Sequence, residues 1–162
     1  MADLRIVQIE KLAEIQVIIG HAGFIKTVED LYEAMVSSAP GIKFGIGFVE
    51  ASGACIVRSE GNEDKLRQEA ELNAAKIGAG HTFVIFFTGA YPINVNNAVK
   101  GVPEVVSIYC STANPVQVIT TETDQGISVL GIVDGAKPKA TETAKDRETR
   151  MKLVRDLGYK VK

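Results

Sequence analysis

The chain has 162 residues and a mass of 17.4 kDa, with 46% hydrophobic and 23% charged residues, a profile expected of one globular domain spanning 1–162. Eighteen Lys and Arg against twenty Asp and Glu give a formal charge of −2, so no basic surface for nucleic acid is expected. No apolar run approaches a membrane span, MADLRIVQIEK has no signal-peptide centre, and Cys55 and Cys110 lack metal or disulfide spacing, which together predict a cytoplasmic protein with reduced thiols.

Leu4 to Ile9 alternates apolar and polar residues as a half-buried strand does, and Ile15 to Ile19 predicts a second strand. Gly20 to Lys26 then forms a glycine-bearing loop. Thr27 is placed to cap a helix, with Glu29 and Asp30 in its positive first turn and Val28, Leu31, Tyr32, Met35 and Val36 on one face. Lys43 to Glu50 predicts a strand with Phe44, Ile46 and Phe48 on one side and Gly45 and Gly47 on the other. Two glycines on one face mark a close approach, by a helix or by a ligand. Ala54 to Arg58 is expected to return as a hairpin partner through Ser52-Gly53.

Asn62 can cap the next helix, whose buried stripe is Leu66, Ala70, Ala74 and Ile77 and whose end falls at Gly78 and Gly80. His81 to Phe87 is continuously apolar, as in a central strand covered on both faces. Pro92 suits the first turn of a short helix over Ile93 to Val99. Val105–Cys110, Val116–Thr121 and Ile127–Val133 predict three consecutive strands. After a polar linker, Thr143 opens a final helix to Leu157 with Met151, Leu153, Val154 and Leu157 turned inward. Strands interleaved with helices point to an α/β fold, a mixed sheet with helices on its faces.

The chemistry-bearing residues form no standard phosphate loop. Gly126 and Gly131 have the GxxxxG spacing, but Ile132 and Val133 stand where Lys and Ser or Thr belong. Gly45-Ile46-Gly47 is followed by Glu50 in place of a third glycine. His21 and His81 lie outside metal-binding patterns, and His81 at a strand mouth suits a structural role as well as a ligand contact. Cys110 suits a small buried hydrophobe better than a nucleophile. Glu50, Glu122 and Asp134 each end an apolar strand, where a carboxylate is either solvated or turned into a cleft. The loop Ser111-Thr112-Ala113-Asn114-Pro115 offers hydroxyls and a carboxamide at a sheet edge, or simply makes a turn.

Several of these blocks together resemble the adenosine-specific kinase family: FIKTVEDLYEA (24–34), GIKFGIGFVEASG (41–53), GAGHTFVIF (78–86), YPINVNNAVKGVPEV (91–105), CSTANPVQVI (110–119), GIVDG (131–135) and RDLGYK (155–160). The family is small, prokaryotic and largely thermophilic. The resemblance implies a three-layer α/β/α sandwich with a mixed β-sheet and a protein that binds adenosine or AMP. It implies ATP and Mg2+ as well if a kinase reaction is carried out; the alternative is a non-catalytic adenine-nucleotide sensor or carrier. The carboxylates Asp134 and Glu50 are the expected catalytic bases at the ribose hydroxyl, and Lys26, Lys100 or Arg58 would offset phosphate charge. The expected ligand-binding residues are Phe48, His81, Asn94, Asn96, Thr112, Asn114 and Lys26, with no metal ligands. The carboxamides among them can both donate to and accept from an adenine edge. A homo-oligomer is expected. His21 and Gly23 depart from the family pattern in the loop before FIKTVED, where a different affinity would follow if that loop meets the ligand.

Overall fold

The computed structural model describes residues 3–161. Its elements in order are β1 (Leu4–Gln8), β2 (Gln16–Ala22), α1 (Thr27–Ser38), β3 (Lys43–Val49), β4 (Val57–Gly61), α2 (Asp64–Ile77), β5 (Thr82–Thr88), α3 (Pro92–Gly101), β6 (Val105–Thr112), β7 (Val116–Thr123), β8 (Gly126–Asp134) and α4 (Ala144–Asp156). Five strands form one sheet in the order β4-β3-β5-β2-β6, and three form a smaller sheet in the order β1-β7-β8. β5 is buried from Thr82 to Phe87 because it runs down the middle of the larger sheet, as its unbroken apolar run predicts.

Side-chain alternation sends the two halves of each central strand to different layers. Ile18, Phe44, Ile46, Phe48, Phe83, Ile85 and Phe87 pack against Leu31 and Met35 of α1 and Val95 and Val99 of α3. Val17, Ile19, Val84 and Phe86 on the opposite face pack against Ala70, Ala74 and Ile77 of α2 and against Val7, Val116 and Val118 of the smaller sheet. Each fully buried Phe of this core contributes about 1.5–3 kcal/mol of transfer free energy. The third layer is therefore a helix and a small sheet lying side by side.

The α/β fold forms as expected, and its strand directions add a correction. Every pairing among the described strands is antiparallel, so neither sheet is mixed. The helices α1, α2 and α3 do connect parallel strands, which is what the alternating pattern records. Each connected pair is separated by one antiparallel strand, β5, β3 and β2 respectively.

Other local expectations shift for identifiable reasons. Asn62 does not cap α2; Glu63 does, accepting the Leu66 N–H at 2.9 Å. The Asn62 carboxamide instead ties down the start of β3, accepting from Phe44 N at 2.9 Å and donating to the Ile42 carbonyl at 2.8 Å. Thr27 is the first residue of α1 rather than its cap, and its hydroxyl donates to the Phe24 carbonyl at 2.6 Å. The strand after Gly53 begins at Val57, because Gly53 and Cys55 both take positive φ and widen the turn. The largest departure is α4. Thr143 opens it as expected, in a capping box with Asp146, yet no residue of the helix is buried and Met151, Leu153 and Leu157 are exposed. Among the described residues no helix is long and apolar enough to cross a membrane.

Gly45 and Gly47 mark the approach of a helix, not a ligand. A Cβ on Gly45 would lie 2.1 Å from the Arg67 backbone nitrogen, and one on Gly47 would lie 2.5 Å from the Ala70 carbonyl oxygen. The two glycines let α2 lie directly on β3.

Candidate functional site

The C-terminal end of β3, the start of β5 and the end of β2 come to one end of the larger sheet. There Phe48 leads into Glu50, His81 precedes Thr82, and His21 pairs with Thr82 across the ladder. The His81 ring lies nearly parallel to that of Phe48, with centroids 6.0 Å apart and planes 13° apart. The His21 ring stands edge-on to His81 at 5.8 Å. Phe48 is only 1% exposed, so it forms a rigid floor, while His81 is half-buried. Phe24 and Ile25 from the segment before α1 and residues 50–54 from the loop after β3 close a cleft of about 520 Å³ over this floor.

Backbone strain concentrates around the cleft. Among the described residues, the non-glycine residues with positive φ are Phe24 (95°), Cys55 (50°) and His81 (63°). Phe24 and His81 line the cleft, while Cys55 follows the cleft-lining residues 50–54 and faces a neighbouring hollow beside the β7–β8 turn. Each such conformation costs on the order of 1–3 kcal/mol and persists where the surroundings over-determine it, a pattern typical of ligand sites. His81 is held by two backbone bonds, its N–H donating to Val49 at 2.7 Å and its carbonyl accepting from Ala22 at 2.9 Å. Phe24 carries its strain while remaining 62% exposed as a residue, at the mouth of the cleft.

Glu50 is fixed at the polar end. Its Oε2 accepts the Ile56 N–H at 3.0 Å and its Oε1 accepts from Arg58 Nε at 2.8 Å. The Ile56 N–H first, and the Arg58 guanidinium second, hold this carboxyl below its ordinary range. It is therefore ionised at neutral pH, a weak proton acceptor and a strong hydrogen-bond acceptor. His21 is the opposite case. Burial, with the neighbouring His81 second, lowers its pKa from the ordinary 6.5, leaving a neutral imidazole at pH 7.

That shift predicts a pH dependence. Because the folded-state pKa of His21 lies below the unfolded value of 6.5, the unfolded chain binds more protons as pH falls through that value. The melting temperature is expected to fall from pH 7 towards pH 5.5, above the range where Glu50 titrates, and a His21→Gln variant is expected to flatten that slope. Equal slopes in the two proteins would contradict the assignment.

The remaining sequence-predicted residues lie elsewhere. Lys26 faces a groove of about 730 Å³ between α1 and α3, where its Nζ pairs with Asp30 Oδ2 at 2.6 Å and Glu104 Oε1 at 2.8 Å. Both carboxylates raise its pKa, Asp30 first. Asn94 borders the same groove, but its Oδ1 accepts the Tyr91 N–H at 2.8 Å and closes the capping box of α3. Asn96 accepts from the Ser111 hydroxyl at 2.5 Å. Lys100 is exposed in the last turn of α3.

Thr112 pairs with Val17 near the beginning of β2, four residues from His21 and so about 13 Å along the strand from the cleft end. Asn114 is exposed, and its Nδ2 donates to Asp134 Oδ1 at 3.0 Å. The Thr112 hydroxyl accepts the Asn114 N–H at 3.1 Å, which completes a turn held by its own polar groups. Asp134 thus sits with Asn114 rather than with Glu50. Glu122 is at the other end of the β7–β8 hairpin, since Val116 pairs with Asp134 while Glu122 pairs with Ile127. The three strand-end carboxylates do not cluster.

Cys110 is buried, with its pKa pushed up to about 11, mainly by burial, and behaves as the small hydrophobe its sequence context suggests. Of the expected site residues, the structure joins Phe48, Glu50 and His81. Arg58, expected to offset phosphate charge, lies there too, and the structure adds Phe24 at the cleft with His21 against His81. Among the described residues no three His, Cys, Asp or Glu converge to hold a metal ion.

Comparison with known proteins extends this picture. The chain is similar to the PH1918 protein of Pyrococcus horikoshii OT3, whose crystal structure matches it with a TM-score of 0.95 and 44% sequence identity over 100% of both chains. No curated protein matches it. The model of a family described as adenosine specific kinase matches residues 7–160, nearly the whole chain. This chain belongs to the adenosine-specific kinase family.

Proposed function

We propose that this protein binds adenosine or AMP in the cleft over Phe48 and His81, and that the bound nucleoside is a substrate for phosphoryl transfer from ATP. The observation that supports the site is the gathering of two strained residues, Phe24 and His81, around one cleft. A volume of about 520 Å³ is in the range of small-molecule sites and accommodates a nucleoside. In this reading the purine stacks between Phe24 and the Phe48–His81 pair, and the ionised Glu50 accepts hydrogen bonds from the ribose hydroxyls. Glu50 then orients the ribose rather than deprotonating it, because its pKa is lowered.

For ATP, the chain's residues fit a supporting role. Arg58 is the cation nearest the polar end, and Mg2+ would be carried by the phosphates with at most one or two carboxylates, as is usual for this ion. One observation favours the second reading, a non-catalytic sensor or carrier. Arg58 is already paired with Glu50 and Lys26 with Asp30 and Glu104, so neither stands ready for a phosphate.

Calorimetry tests the proposal. Adenosine is expected to bind well ahead of guanosine, and equal binding of the two purines would overturn the specificity. Incubation with adenosine, ATP and Mg2+ separates the two readings: formation of AMP supports transfer, and binding without any nucleotide product supports the sensor or carrier.

A further inference from the structure

The C-terminal arm is built for a surface that its own chain does not give it. From Lys137 onward the sequence carries nine Lys and Arg against four Asp and Glu, whereas the first 136 residues carry nine against sixteen. The small net charge of the whole chain conceals a basic arm on an acidic body. Inside the arm, Met151, Leu153 and Val154 in the last turns of α4 and Leu157 at its C-cap form an apolar patch, and none of them is buried. Its ion pairs are internal, Glu142 with Arg147 and Arg150, and Lys152 with Asp156. A helix of 13 residues is marginal in water by itself and gains most of its stability from packing an apolar face.

The body carries a matching surface. In the smaller sheet Val7, Val118 and Ile132 turn to the core, so by strand alternation Leu4, Ile6, Ile119 and Val133 turn outward. Leu4, Ile6 and Val133 are exposed on that outer face, with Leu130 exposed beside the bulge at Ile119 and Thr120. The rim is mainly acidic: Asp3, Glu122, Asp124 and Asp134 are exposed, against one exposed cation on β1, Arg5. An apolar sheet face within a mainly acidic rim complements an apolar helix patch flanked by basic residues. Both halves of the pair are present once in every chain.

We propose that α4 of one copy packs on the outer face of the β1-β7-β8 sheet of a second copy of this chain, so that arm exchange holds a homo-oligomer together. The apolar contact supplies the adhesion, and the opposite charges of arm and body set its orientation and make it sensitive to salt. The inference is independent of the nucleoside reading, since arm and sheet face are argued without reference to the cleft.

Light scattering on the full chain at micromolar concentration tests it. The wild type is expected at a multiple of 17.4 kDa, falling in mass as salt is raised. The paired substitutions Leu153→Glu with Leu157→Glu on the arm, and Ile6→Lys with Val133→Lys on the sheet, are each expected to reduce the mass to 17.4 kDa. All four positions are exposed, so the circular dichroism spectrum is expected to hold and report that each variant folds. A monomeric wild type, or an oligomer that survives either pair of substitutions, would overturn the proposal. An arm folded back on its own sheet gives the first of these results.

Discussion

Gly45→Ala is expected to be severely destabilising, by about 3 kcal/mol or more, because the added methyl group meets backbone that cannot yield. Its Cβ would stand 2.1 Å from Arg67 N and 2.2 Å from the Leu66 carbonyl carbon, so α2 must move off β3 or β3 must buckle. Either movement opens the core between Phe86 and Ala70, which lies at the centre of that layer. For a domain of this size 3 kcal/mol corresponds to a fall in Tm of roughly 10 °C. Gly131→Ala is the control: nothing lies within 4 Å of a Cβ there, and a change within about 0.5 kcal/mol is expected. Thermal unfolding of the two variants checks the argument, and similar melting temperatures would show that α2 does not lie against β3 as described.

His81→Gly is expected to separate binding from folding. Glycine adopts φ near 63° without the strain that histidine carries there, so the substitution relieves on the order of 1 kcal/mol while losing the contact with Phe48. These terms oppose one another, and the stability of the folded protein is expected to change little. Affinity for adenosine is a different matter. Losing one aromatic partner from a stacked base costs about 1–3 kcal/mol where such contacts have been measured, a loss of about 5- to 150-fold. Asn114→Ala is expected to show the reverse pattern: a small loss of stability from the broken bond to Asp134, and unchanged affinity, because Asn114 is exposed and far from the cleft. Measuring Tm and adenosine affinity on both variants decides between the two ends of β2. Binding that survives His81→Gly and fails in Asn114→Ala would move the site to the β6–β7 loop.

Much of the scaffold was legible in the sequence because it follows from local rules. The apolar run at Thr82–Thr88, the proline at the start of α3, the glycine that ends α2 and the start of α4 at Thr143 depend on neighbours within a few positions. Strand direction was not legible. A βαβ pattern looks the same whether the two strands are adjacent or have a third between them, and only long-range pairing settles which. The inward face expected of α4 failed for a related reason: amphipathic spacing shows that a helix has an apolar side, not which surface covers it.

The candidate site was half legible. Phe48, Glu50 and His81 lie in strand-end blocks that invite attention, but their convergence is a property of the sheet. Phe24 was missed because a strained φ leaves no compositional trace; an exposed Phe-Ile pair just ahead of a helix was the available signal. The amide-bearing residues are engaged elsewhere in the fold. Asn94, Asn96 and Asn114 have suitable chemistry for adenine, yet each spends its carboxamide on a cap, a serine hydroxyl or a carboxylate within the fold.

A crystal of the protein grown with adenosine tests the central claim most directly. Electron density for the nucleoside is expected in the cleft beside Phe24, its base against the Phe48–His81 pair and its ribose hydroxyls within hydrogen-bond distance of Glu50. Density for adenosine beside Thr112, Asn114 and Asp134, with the cleft holding only water, would contradict it.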